Sequence, residues 1–125
     1  MIFKPELITS IQVGSKTMTR RRLPCPYKAE RSYAVQPGRG KRHVFHIWPY
    51  AIREERLGDI TNEDAEREGF RNVSEFVDYW MGLYGAYNPH ERVAVIEWAA
   101  VEWRKRCCPN GGKPLLGDLG DQEVP

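Results

Sequence analysis

The order of elements predicts an α+β fold: a small mixed or antiparallel sheet, or a small β-barrel, with helices outside it. Three observations carry this. The elements run helix, strand, strand, strand, helix, helix, strand, without the regular alternation that a doubly wound parallel sheet needs. The closing segment that begins at Arg92 is apolar on both faces, the pattern of a central strand. The length of 125 residues suits one domain, and a chain of this size buries about two thirds of its surface without staples.

Pro5 to Val13 predicts a short helix. Proline suits the first helical position, Leu7, Ile8 and Ile11 share a face, and Gly14 suits a left-handed stop. Lys16 to Arg22, alternating and rich in threonine, predicts a strand that Pro24 and Pro26 end. Ser32 to Gln36 predicts a second strand, Pro37 to Lys41 a loop, and His43 to Trp48 a third strand closed by Pro49. Residues 50–60 fit neither period: Ile52 and Leu57 bracket a charged run, and Gly58-Asp59 marks a turn. Thr61-Asn62-Glu63-Asp64 has the form of a capping box with Asp in place of Glu, opening a helix that reaches about Glu68 and stops at Gly69. Asn72-Val73-Ser74-Glu75 is a second such box. It opens an amphipathic helix ended by Gly85, whose stripe of Val73, Phe76, Val77, Trp80, Met81 and Tyr84 is assigned to the core. The last strand is read from Arg92 to Trp103, interrupted on one face by Glu97. From Cys107 the composition turns to glycine, proline and scattered acids, so the expected organisation is a domain over residues 1–106 and a tail over 107–125 with little fixed structure.

Composition narrows the function classes. No run of about 18 apolar residues exists, so no membrane span is expected, and the first residues lack the apolar core of a signal peptide, which implies a cytoplasmic location. Cys25, Cys107 and Cys108 are odd in number and have no C-x-x-C spacing, which fits neither a disulfide framework nor a zinc site; Cys107 and Cys108 are read as reduced thiols. His43 and His46, three apart on a strand, should face opposite ways, and His90 stands alone, so neither a metal nor a cofactor is expected. Charge is unevenly spread. Residues 1–42 hold ten Lys/Arg against two acids, a net of +8, whereas residues 54–78 hold nine acids against three Arg, a net of −6. The basic third can attract an anion; equally, the two segments can pair in the fold and cancel.

The segment Gly14-Ser15-Lys16-Thr17-Met18-Thr19-Arg20-Arg21-Arg22 concentrates a turn, hydroxyls, an amine and guanidinium groups. It is no Walker loop, because that loop leads into a helix whose amides cradle phosphate, and here the chain leads into a strand. Alternation puts Lys16, Met18, Arg20 and Arg22 on one face and Thr17, Thr19 and Arg21 on the other. Guanidinium forks suit phosphate, and their planes stack on bases; a solvated edge strand explains the same charges. Likewise the acids of the helix around Glu63, Asp64, Glu66 and Glu68 complement a helix dipole without further purpose. Tyr27, Tyr33, Phe45, Trp48 and Tyr50 interleave with basic residues, and either base stacking or core packing accounts for them.

Three stretches carry a resemblance. Ile11-Gln12-Val13-Gly14-Ser15-Lys16-Thr17-Met18-Thr19-Arg20 is an apolar helix end, a glycine and a Lys-Thr-x-Thr-Arg run. Ile60-Thr61-Asn62-Glu63-Asp64-Ala65-Glu66-Arg67-Glu68-Gly69-Phe70 precedes an amphipathic helix, and Val93-Ala94-Val95-Ile96-Glu97-Trp98 closes the order. Together they resemble the ASCH domain family. The resemblance implies a PUA-like fold, a small β-barrel flanked by helices, and an RNA-related function. Some similar proteins are amidohydrolases that remove an acyl group from the N4 amine of cytidine, and others are described as ribonucleases. Matched residue by residue, the amidohydrolase's catalytic Lys, Thr and Glu fall on Lys16, Thr19 and Glu68.

The expected ligand is therefore RNA or a nucleoside, held in a pocket between the Lys/Thr/Arg strand and the acidic helix. Arg20, Arg21 and Arg22, with Arg39, Lys41 and Arg42 of the loop, are the candidates for holding phosphate. In the amidohydrolase reading Thr19 attacks or positions water, Lys16, its pKa lowered by the neighbouring arginines, takes the proton, and a protonated Glu68 donates to the leaving amine. Lys16 and Thr19 have opposite parity on a regular strand, so they converge only if the strand bends or begins after Lys16. The extra arginines favour a polynucleotide over a free nucleoside. A ribonuclease and a non-catalytic interaction module are the other readings, and a monomer or weak dimer is expected.

Overall fold

The computed structural model describes residues 1–100. The elements in chain order are α1 (Pro5–Gln12), β1 (Met18–Arg22), β2 (Tyr33–Val35), β3 (Phe45–Ile47), β4 (Pro49–Arg56), a 3-10 turn (Leu57–Asp59), α2 (Asn62–Arg67), α3 (Val73–Tyr84) and β5 (Arg92–Trp98). The ambiguous stretch 50–60 resolves into most of β4 and the turn after it. β5 ends at Trp98, five residues short of the expected Trp103. Residues 101–103, the Cys107-Cys108 pair and the expected tail lie outside the described residues.

The strands form two antiparallel sheets, β1-β5-β4 and β2-β3, and among the described residues they do not close into a barrel. β5 is central, as its apolar faces require, and every residue from Val93 to Trp98 is buried. β1 pairs with one of its edges from Met18↔Glu97 to Arg22↔Val93, and β4 pairs with the other, with a register shift between Pro49 and Ala51. One core joins Phe3, Leu7, Ile8 and Ile11 to Val35, Phe45, Ile47, Ile96 and Trp98. A second joins Leu57, Ile60 and Ala65 to Phe76, Trp80 and Val93. β5 supplies residues to both, so it is the wall between them.

The helix starts follow the capping chemistry unequally. At α2 the box is complete: Thr61 Oγ1 accepts from the Asp64 amide, and Asp64 Oδ2 accepts from the Thr61 amide. At α3 only half forms. Asn72 Oδ1 accepts from the Glu75 amide, but the Glu75 carboxylate accepts from the Arg71 amide and guanidinium instead of closing the box. The apolar stripe of α3 is also only partly core. Phe76 and Trp80 are buried, whereas Met81 and Tyr84 are exposed.

Candidate functional site

The site begins at the end of α1. Gly14 takes a positive φ of 86°, and the amides of both Ser15 and Lys16 donate to Ser10 O, so the chain reverses within two residues. Thr17 is then clamped: its amide donates to Arg67 O (2.8 Å), and its carbonyl accepts from the Trp98 amide (3.0 Å). Lys16 therefore lies before the strand, which starts at Met18. That removes the parity conflict between Lys16 and Thr19. The expected alternation also fails on the strand itself, where Met18, Thr19 and Arg20 are buried in succession because both sides of β1 are covered at that end.

Lys16 is 1% exposed. Its Nζ donates to Met18 O and to Glu68 O, each at 2.8 Å, and stands 3.6 Å from Glu68 Oε1. Glu68 is delivered by the C-cap of α2, and Gly69 follows with φ of 100°. A Cβ at Gly69 would meet Leu7 Cδ2 at 3.5 Å and Lys16 Cδ at 3.7 Å, so the stem of Lys16 packs directly against that turn. Burial lowers the Lys16 pKa from 10.5 to about 8; Glu68 opposes the shift, and Arg21 and Arg20 reinforce it. The principal cause is thus desolvation rather than the run of arginines.

The three arginines of β1 have three different fates. The Arg20 side chain is wholly buried and meets three carboxylates: Glu68 Oε2 at 2.8 Å, Asp64 Oδ2 at 3.2 Å, and Glu55 Oε1. Its Nε has no partner among the described residues. Here the basic and acidic segments do pair and cancel, and Arg20 has no free fork to offer a phosphate. Arg22 turns outward to Glu91 (2.8 Å) and lies over the Tyr84 ring. Arg21 donates through Nη2 to Ile2 O (2.7 Å), and its guanidinium carbon lies 4.8 Å from the Phe3 ring centroid.

These residues border a cavity of about 300 Å³. Lys16, Thr19, Arg20, Arg21 and Glu68 form its polar wall, and Thr19 Oγ1 makes no hydrogen bond to a described residue. Phe3, Phe70, Phe76, Tyr79, Trp80 and Tyr84 form its apolar wall. The volume is at the small end of the range of roughly 300–1,000 Å³ typical of small-molecule sites. The fold thus brings Lys16, Thr19 and Glu68 to one place, from segments some fifty residues apart in the chain.

No protein-family model and no curated protein matches the chain. Among solved structures it is similar to protein EF3133 from Enterococcus faecalis V583, of family model DUF984, with a TM-score of 0.59 and 14% identity over 76% of this chain and 69% of that one. It is likewise similar to the ASCH structure from Zymomonas mobilis, with a TM-score of 0.58 and 19% identity over 78% of this chain and 64% of that one. This is an ASCH-type fold.

The likeness is one of fold, and this chain spans about two thirds of the length of those structures. The loop residues Arg39, Lys41 and Arg42 of the ASCH-type fold are exposed and do not border the cavity. His43 precedes β3, so strand alternation does not apply to it, and its ring lies 5.0 Å from that of His46 instead of on the opposite face. Among the described residues no helix is long and apolar enough to cross a membrane.

Sequence reasoning missed Glu55 and Arg67, and read Asp64 only as one of the acids at a helix start. Glu55 and Asp64 neutralise Arg20, and Arg67 donates to Thr17 Oγ1 (3.1 Å) and to Glu97, tying α2 to the start of β1. The aromatic wall from α3 was visible only as a helical stripe. Its period gave a buried face without saying that part of that face borders a space.

Proposed function

We propose that the cavity binds a nucleoside and hydrolyses an amide on its base, with N4-acylated cytidine as the substrate class. The observation that carries this is Lys16: a buried amine with a pKa of about 8, beside Glu68 and on the same wall as a Thr19 hydroxyl that bonds to no described residue. A neutral amine has two N–H groups and one lone pair. The two hydrogen bonds to Met18 O and Glu68 O occupy the N–H groups, so losing a proton leaves both bonds intact and a lone pair available. In the proposed step Lys16 takes the Thr19 hydroxyl proton as Oγ1 attacks the acyl carbon. The tetrahedral adduct collapses, the C–N bond breaks, and the Lys16 ammonium returns that proton to the departing N4 amine. Lys16, neutral again, then takes a proton from water as the water oxygen attacks the threonyl ester; the C–O bond breaks, that proton returns to Thr19 Oγ1, and the carboxylic acid leaves.

Glu68 has a different role from the one expected of it. Its carboxylate is bracketed by Arg20 and Lys16, which makes it the anchor that orients the amine rather than the acid that protonates the leaving group. The aromatic wall supplies faces for the base. Turnover of N4-acetylcytidine to cytidine by the purified protein, abolished by Lys16→Ala and Thr19→Val, is the expected result. No turnover, or turnover indifferent to Lys16→Ala, contradicts it.

A second reading, binding of RNA, is favoured by the exposed Arg39, Lys41 and Arg42. It predicts an RNA affinity that falls steeply with salt and with neutralisation of those three residues. An interaction module without a ligand site is the least supported reading, because it leaves the cavity and the buried lysine without a purpose.

A further inference from the structure

The cations that border the cavity are not equally compensated. Arg20 meets three carboxylates and Lys16 faces Glu68. Arg21 and Lys4 form no ion pair with any described residue. Arg21 is fixed in place nevertheless. The bond from Nη2 to Ile2 O and the contact with the Phe3 ring hold its plane, while Nε and Nη1 donate to nothing described. Lys4 Nζ lies 5.2 Å from the centroid of Tyr79, another ring of the same wall. The Phe3 ring that carries Arg21 also lies 5.6 Å from Lys16 Nζ, so a group seated on Arg21 is one ring away from the amine. A guanidinium held by a carbonyl and an aromatic face, with donors left over, is pre-organised for the forked contact that an oxyanion makes.

We propose that the ligand of this cavity carries an oxyanion, held by Arg21 with Lys4 beside it. This rests on the reading of the cavity as a nucleoside site. Two parts of such a ligand can bring the anion: a 5′-phosphate on the sugar, or a carboxylate on the acyl group.

Calorimetric titration of the full chain carrying Thr19→Val, which does not turn over the acylated ligands, separates these possibilities with four ligands. Cytidine is compared with cytidine 5′-monophosphate, and N4-acetylcytidine with N4-succinylcytidine. One anionic ligand is expected to bind about tenfold or more tightly than its neutral counterpart, the scale of one charge-assisted contact. Arg21→Gln removes that gain, so that each anionic ligand binds no more tightly than its neutral counterpart, in a variant whose cooperative urea unfolding shows that it is folded; Arg21→Lys retains part of the gain. A neutral pair that binds with no anionic gain, or a gain that survives Arg21→Gln, overturns this inference alone. Binding of none of the four overturns both the inference and the nucleoside reading beneath it.

Discussion

Glu68 and Glu97 are each bracketed by two cations, and their surroundings make them different objects. Glu68 lies between Lys16 and Arg20, and Glu97 lies between Arg53 and Arg67, with the Tyr50 hydroxyl 3.4 Å away. Around Glu68 both cations are buried: Lys16 is 1% and Arg20 4% exposed. Around Glu97 the arginine side chains are 43% and 33% exposed. An arginine keeps its proton in any surroundings, so the second cluster can only clamp β4 and α2 to β5. A lysine yields its proton when desolvated, so the first cluster can exchange one near neutral pH. The contrast teaches that the identity of one cation and the depth of burial, rather than the pattern of charges, separate a reactive group from a structural one.

The largest expected difference is in turnover. Lys16→Met should lower kcat on N4-acetylcytidine by about 10²–10⁴-fold, the usual contribution of a positioned acid–base group, whereas Glu97→Gln should leave kcat unchanged. Stability should divide the clusters next. Glu68→Ala removes the carboxylate shared by buried Lys16 and Arg20, leaves Lys16 facing no acid among the described residues, and should cost about 3–5 kcal/mol in urea unfolding. Glu97→Ala releases arginines that water reaches, and should cost about 1 kcal/mol. Equal losses would erase the distinction.

The pH dependence sharpens it further. Lys16 holds its proton more weakly in the folded chain, about 8, than in the unfolded one, 10.5. Between these values the unfolded state binds more protons, so folding stability contributed by this group rises with pH through that window and is lost as pH falls through 8. Lys16→Met should abolish that rise, and no substitution at Glu97 should. Turnover should rise with pH toward 8 and then level off, as the neutral amine becomes the major form. The smallest effect is at Arg21, whose charge helps to lower the Lys16 pKa: Arg21→Gln should move the acid limb of that profile to higher pH.

The parts of this that the sequence made legible are the local ones. The proline and glycine that bound α1, the Thr61 box that opens α2 and the two-faced apolar run of β5 each depend on neighbours in the chain, and each holds in the fold. The site trio came from motif resemblance, and the fold gathers it. What stayed hidden depends on partners far along the chain. Arg20, Arg21 and Arg22 read as one basic run, yet Arg20 is neutralised by Glu55, Asp64 and Glu68, Arg22 reaches Glu91, and only Arg21 is left facing the cavity without an acid. Alternation cannot predict this, because burial on both sides of β1 overrides it. Nor does helical period reveal that Tyr79 and Tyr84 border a space rather than fill one.

The central claim, that Lys16 is a proton-exchanging group, is tested most directly by following the lysine side-chain 13Cε resonances through a pH titration of the full chain. One resonance with a midpoint near 8, missing from the Lys16→Met variant, is the predicted result. A Lys16 resonance that titrates at its ordinary value of 10.5 would contradict the account.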